Sequence, residues 1–298
     1  MSGPAPMFEQ LGLIGCGLMG SSFALALRQA GLVKRVVGYS KSPSTTEQAR
    51  QLGIIDVEAP SALLAASGAD IVLLAVPVAA MGATLKAIRH LVTADMLVMD
   101  VGSTKADVVE AARDALRDQI GSFVPAHPIA GAETSGPGTA RADLYRNRQV
   151  VLTPIERTRT AQLHKAEAVW TALGCSVRKM SPATHDAALA AVSHLPHLLA
   201  FAAVNAIGDQ PQGDDFLGLA GPGFRDYSRI AAANPEMWRD VLLANRGELK
   251  RQADAFRIAL SALEHAMDRN DGPALQALIT RASDTRGAWR MRSAGEAT

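Results

Sequence analysis

The sequence predicts an α/β protein, with an open, doubly wound, largely parallel sheet in its N-terminal part and an all-helical C-terminal domain. Three observations carry this reading. Short apolar runs alternate with longer helix-patterned stretches over roughly the first 180 residues. A glycine-rich turn, Gly15-Cys16-Gly17-Leu18-Met19-Gly20, joins the first run to the first helix. Beyond Ser181-Pro182 no run reads as a strand. Strands that alternate with helices build a parallel sheet covered on both faces.

In chain order, the predicted strands are Leu11–Ile14, Val36–Tyr39, Ile71–Val76, Met96–Val101, Phe123–Ala126, Val150–Thr153 and Ser176–Met180. Several are continuously apolar rather than alternating, as strands buried on both faces are. The helix-patterned stretches between them include Leu18–Gln29, Val78–Leu91, Lys105–Arg117 and Thr160–Leu173. Gly31, Gly53 and Gly174 stand where helix C-caps are expected. The pattern then changes, which sets a domain boundary at 1–181 and 182–298. Ala183–Ile207, Pro235–Arg269 and Gly272–Arg292 read as long helices, and Gly208–Gly223 reads as a loop. Neither an internal repeat nor a low-complexity segment is visible.

The chain has 298 residues, of which 48% are hydrophobic, enough for two domains with a sizeable core. Thirty basic residues against 29 acidic ones give no general attraction for nucleic acid or an anionic membrane. Two cysteines, Cys16 and Cys175, make no disulfide framework. The first residues lack the basic and apolar regions of a signal peptide. The longest apolar stretch, Ile71–Ala83, is interrupted by Pro77 and falls short of the roughly 20 residues of a membrane span. The expectation is a reduced, cytoplasmic protein that pairs into a homodimer through apolar helix faces in its second domain.

Leu11-Gly12-Leu13-Ile14, then G-x-G-x-x-G, then Ser21–Arg28 is the strand–turn–helix context of a Rossmann-type dinucleotide site. Gly15 makes the tight turn, Gly17 lets a pyrophosphate approach, and Gly20 lets helix and sheet pack closely. Leu18 and Met19 open the helix whose free N–H groups face the phosphates. Val76 and Pro77, at the end of another predicted strand, complete this side of the cofactor site. At the adenosine ribose, the second strand ends in Ser40-Lys41-Ser42, without the acid that binds a 2′-hydroxyl. A hydroxyl and a lysine there suit a 2′-phosphate, so NADP is favoured, with NAD the alternative. Cys16 reads as a small spacer in the turn.

Ligands of open α/β sheets bind beyond the carboxyl ends of the strands. Two such ends carry polar groups: Ser103 in Asp100–Lys105, and His127 in Pro125–Glu133. A histidine there takes a proton from a substrate hydroxyl while a hydride leaves, and a serine orients it; the alternative for His127 is a purely structural role. In the second domain His194 and His197 are three apart. No Cys or carboxylate cluster accompanies them to make a metal site. Arg225 and Arg229, one turn apart, are candidates for a carboxylate, or are solvated, or pair with Asp226 or Asp240. Trp238 is a packed anchor or a pocket wall.

Together the segments GLIGCGLMGSS (12–22), DVGSTK (100–105), AHPIAGAE (126–133), SHLPH (193–197), GFRDYSRIA (223–231) and NPEMWRD (234–240) resemble, in order, the prephenate and arogenate dehydrogenases of tyrosine biosynthesis. The resemblance implies oxidative decarboxylation of prephenate to 4-hydroxyphenylpyruvate, or of its amino counterpart arogenate. It implies His127 as the base on the 4-hydroxyl, with Ser103 in support. It also implies His194, His197 and Arg229 on the substrate, and Glu133 and Trp238 lining the pocket; Arg225 is a further substrate candidate. It leaves no room before Thr298 for the regulatory domain that some members carry. Two rivals are a β-hydroxyacid-type dehydrogenase and a cofactor-binding regulator without catalysis. The first needs a catalytic lysine in the helical domain, where Lys250 stands alone among Glu248 and Arg251. The second would have lost the histidine and arginine set.

Overall fold

The computed structural model describes residues 6–131 and 134–290. Its contacts divide the chain into two compact units, Met1–Asp186 with Ala232–Ala244, and Ala187–Ala231 with Asn245–Thr298.

The first unit opens with β1 (Phe8–Ile14), α1 (Leu18–Gln29), β2 (Val33–Tyr39), α2 (Pro43–Gln51), β3 (Val57–Glu58), α3 (Ala62–Ala66) and β4 (Ile71–Leu74). It continues through α4 (Met81–Ile88), β5 (Leu97–Asp100), α5 (Ala106–Leu116) and β6 (Phe123–Val124). These six strands pair in parallel in the order β3-β2-β1-β4-β5-β6. The order reverses beside β1, so the carboxyl ends of β1 and β4 flank the crevice in which this topology binds nucleotides. Every residue of β4 and β5 is buried, which accounts for their continuously apolar sequence.

The single sheet expected from sequence is two sheets. β7 (Ala126–Pro128), β8 (Gln149–Leu152) and β9 (Ser176–Lys179), with α6 (Thr160–Ala172) before β9, form a second, three-stranded sheet. Here β7 runs antiparallel to β8, and β8 parallel to β9. The break falls at Pro125, which has no N–H to give to a ladder and separates β6 from β7. The core joins both sheets. Phe23 of α1, Tyr145 and Trp170 of α6 are fully buried, with Trp170 centred 5.1 Å from Phe23 and 5.3 Å from Tyr145. The glycines expected as C-caps, Gly31, Gly53 and Gly174, all have positive φ.

The chain passes between units inside α7 (Pro182–Leu189). A π-turn over Ala190–His194 leads into α8 (Leu195–Gly208). Pro196 lacks the N–H that would close an ordinary α-turn, and a π-turn absorbs the mismatch. The stretch expected as a loop holds α9 (Gly213–Gly218) and the start of α10 (Pro222–Ser228), which begins with Gly221 at N-cap and Pro222 at N1. The expected helix Pro235–Arg269 is two: α11 (Pro235–Ala244), which belongs to the first unit and packs on the 3₁₀ turn Val78–Ala80, and α12 (Arg246–Asp268). α13 (Gly272–Ala288) closes the second unit, capped by Asp271, whose carboxylate accepts from the Ala274 N–H at 3.0 Å. The run Pro182–Gly208 spans 27 residues with a mean hydropathy of 1.7 in its most apolar window, long and apolar enough by composition to cross a membrane. The sequence reading, which singled out only Ile71–Ala83, missed it; His185 and Asp186 on this run are hydrogen-bonded inside the first unit.

Candidate active site

The nucleotide cradle lies between β1 and α1. Gly15 has φ +102°, and a Cβ there would strike the Ala75 carbonyl oxygen just beyond β4. A Cβ on Gly20 would strike the carbonyl oxygen of Gly15. A Cβ on Gly17 would meet only open space. Two glycines are therefore required by packing, and the third keeps the approach to the backbone clear. Gly17 caps α1 without a side-chain hydrogen bond, and the first turn, Leu18-Met19-Gly20, carries no acid. Its N–H groups and the positive end of the helix dipole suit a pyrophosphate. Val76 and Pro77 follow Ala75 directly.

The end of β2, expected to face the ribose, is built by hydroxyls. Ser40 accepts from the Cys16 N–H at 2.8 Å and gives its own N–H to Thr46 Oγ1 at 3.0 Å. Lys41 is exposed. Ser42 caps α2 with its Oγ 2.9 Å from that of Ser44, and the first turn of α2 again lacks an acid. Burial pushes the Cys16 thiol up to about 11, with hydrogen bonds to Ser40 and Tyr39 opposing, so it is no thiolate near neutrality.

His127 sits on β7, half-buried. Its Nδ1 lies 2.8 Å from Nε2 of His185, a residue from α7 that the sequence reading passed over. His185 Nδ1 in turn lies 2.7 Å from Oδ1 of Asp186. Asp186 also accepts the N–H groups of Lys105 and Ala106, each at 2.8 Å, where α5 begins. Burial raises the Asp186 pKa, but the hydrogen bonds from His185 and the two amides outweigh it and hold the group below the usual carboxylate value. Asp100 and Lys105 form an ion pair with both side chains wholly buried. Asp100 also accepts from the Gly102 N–H at 2.8 Å and the Ala126 N–H at 3.0 Å, fixing the residue before His127. Ser103 lies half-buried on the same β5–α5 turn, and its hydroxyl forms none of these contacts. Trp238, on α11, is buried in this unit, whereas Glu133 lies outside the described residues.

In the second unit, His194 is buried, and its Nδ1 lies 3.1 Å from Nδ2 of Asn245, another residue missed from sequence. His197 Nδ1 lies 2.9 Å from the Ser193 carbonyl, which only accepts, so His197 carries its proton on Nδ1. Burial lowers the His197 pKa; the Ser193 carbonyl opposes this and the charge of Arg229 adds to it. Arg225 pairs on the surface with Asp226 at 3.2 Å, one of the alternatives open from sequence. Among the described residues, no cluster of three His, Cys, Asp or Glu side chains is placed to hold a metal.

Two family models match the chain: "Prephenate dehydrogenase, nucleotide-binding domain" over residues 23–179, and "Prephenate dehydrogenase, dimerization domain" over residues 181–281. A cyclohexadienyl dehydrogenase of Zymomonas mobilis is 33% identical over 89% of this chain and 91% of its own length. The crystal structure of an Aquifex aeolicus prephenate dehydrogenase, in complex with hydroxyphenyl propionate and NAD+, superposes with a TM-score of 0.88 at 33% identity, covering 93% of this chain and 97% of the other. A Synechocystis arogenate dehydrogenase structure superposes with a TM-score of 0.79 at 30% identity, covering 93% and 99% of the two chains.

Proposed function

Since the chain belongs to the prephenate dehydrogenase family, we propose that it converts prephenate to 4-hydroxyphenylpyruvate and CO2 by oxidative decarboxylation. The observation that carries this reading beyond the family match is a histidine, His127, in the middle of β7 in the second sheet and in hydrogen-bond contact with the buried His185. A bound nicotinamide supplies the hydride acceptor, and the glycine cradle fits its pyrophosphate.

Atoms and electrons balance through a dienone. Hydride leaves C4 of the ring, and His127 takes the proton of the C4 hydroxyl. Loss of the ring carboxylate as CO2 returns the electron pair through the ring to that oxygen, and His127 gives the proton back to make the phenol. Aromatisation drives the step, so alignment and the proton at His127 are what the protein supplies. His194, His197 and Arg229 are assigned to substrate, Arg229 on a carboxylate, with Glu133 and Trp238 as pocket residues, Arg225 as a further contact and Ser103 in support of His127. Hydroxyls and Lys41 at the ribose end support NADP over NAD. The protein is assigned to the cytoplasm, as a homodimer joined through its second domain, with neither nucleic acid nor membrane as partner.

The test is initial velocity at 340 nm with prephenate and arogenate, each against NADP and NAD. Prephenate-dependent reduction, fastest with NADP, is expected. His127→Ala is expected to lower kcat by about 10² or more, the usual worth of a general base. No reduction with either substrate, by folded protein that binds cofactor, overturns the reading.

A further inference from the structure

His185 and Asp186 belong to none of the segments that assign the reaction, yet both are buried and aligned behind its base. The chain of contacts is Asp186 Oδ1, His185 Nδ1 at 2.7 Å, and His185 Nε2 to His127 Nδ1 at 2.8 Å. Two elements supply it, β7 and α7, and the start of α5 anchors its far end.

The direction of each hydrogen bond follows from one end. Asp186 accepts from the amides of Lys105 and Ala106 as well as from His185. A carboxylate in that setting is ionised and can only accept. His185 therefore donates from Nδ1, and in its neutral form its Nε2 carries the lone pair. His127 must then donate from Nδ1, which places its own lone pair on Nε2. That is the atom a base needs. Reversing either link sets two protons or two lone pairs against each other at His185, which is wholly buried. When Nε2 takes a proton, the positive charge on His127 is connected through His185 to the charge of Asp186.

We propose that Asp186 and His185 are positioning residues that hold His127 in its Nδ1–H tautomer and stabilise its imidazolium during turnover. The proposal rests on the reading of His127 as the base. Among the described residues, the Asp100–Lys105 pair and Asp107 also face this chain, Asp107 through its charge on Asp186 and Lys105.

The test compares His185→Met, His185→Gln, Asp186→Asn and His127→Ala in the full-length enzyme, with near-UV circular dichroism and cofactor binding confirming the fold. His185→Met keeps Asp186 on the α5 amides but removes the link to His127. It is expected to lower kcat by about 10², in the range for a misdirected general base, with KM changed less than about threefold. The acid limb of its kcat profile is expected to move to lower pH, because the imidazolium loses its support. His185→Gln, whose amide oxygen can still accept from Nδ1–H, is expected to recover most of the loss. Asp186→Asn is expected to move the same limb the same way. Nitrogen-resolved NMR of the wild-type holoenzyme is expected to find Nε2 of His127 unprotonated above the limb. A kcat within twofold of wild type in His185→Met, an unmoved limb, or a proton on Nε2 overturns the proposal. Full turnover by His127→Ala instead overturns the base reading beneath it. Should His185→Met not fold, the wild-type nitrogen spectrum decides.

Discussion

Lys105→Met tests the buried ion pair behind the β5–α5 turn. Both side chains of the Lys105–Asp100 pair are inaccessible to solvent, so neither charge has water to fall back on. Removing one partner of a buried pair costs about 3–5 kcal/mol, because the charge left behind stays desolvated. Asp100 keeps two other donors, the amides of Gly102 at 2.8 Å and Ala126 at 3.0 Å. Each offsets part of the cost, as a hydrogen bond to a charged group does. The loss is therefore placed at the lower end, about 3 kcal/mol. With a urea m-value of about 3 kcal/mol/M, the midpoint falls by ~1 M. The assay is urea unfolding followed by tryptophan emission, in which Trp170, wholly buried in the first unit, is a local reporter. The double variant Asp100→Asn/Lys105→Met leaves no unpaired charge and is expected to regain at least half of the loss. A single-variant cost under about 1 kcal/mol, or a double variant no more stable than the single, refutes the reasoning, because the pair would then carry no mutual compensation.

Ser40→Asp places a carboxylate where β2 ends, beside Lys41, and is expected to move the NAD/NADP ratio of kcat/KM toward NAD by tenfold or more; an unmoved ratio means that position 40 does not read the ribose. Arg229→Ala is expected to raise KM for prephenate about tenfold while kcat stays within a few-fold, and unchanged steady-state constants remove Arg229 from the substrate. His197 also makes stability depend on pH. Its folded pKa lies below the unfolded value, so the unfolded chain takes up the proton first as pH falls. Stability is expected to drop as pH decreases below about 6.5 and to level off once the folded group is protonated. Urea midpoints between pH 8 and pH 5 are expected to show a smaller drop in His197→Gln; an identical drop assigns the slope to other groups.

What the sequence disclosed was what local chemistry demands. Gly15 needs a positive φ, Gly20 has no room for a Cβ, and the helix behind them has a regular apolar face, so the cradle was legible residue by residue. His127 was singled out because it follows a recognisable strand and is flanked by Pro128 and Gly131. The partner of His127 was not found, because His185 lies 58 residues away and only tertiary folding brings it there. The same holds for Asn245 behind His194, 51 residues apart. The division into two sheets left one local trace, Pro125, which was read as part of a continuing strand end. The helix α9 and the start of α10 within 208–223 went unread because Gly213, Gly218 and Gly221 are turn formers by propensity.

The first unit is not encoded in one unbroken stretch. The helix α11 that packs on Val78–Ala80 comes from beyond residue 231, after a long stretch of the other unit. On a ribosome adding about 5–20 residues per second, the sheet and its nucleotide turn emerge seconds before the segment that completes them. Until then the Val78–Ala80 turn lacks its packing partner, and a chain cut at the sequence boundary near residue 181 would never gain it. Separating the nucleotide-binding part for study therefore calls for grafting residues 232–244 back onto it.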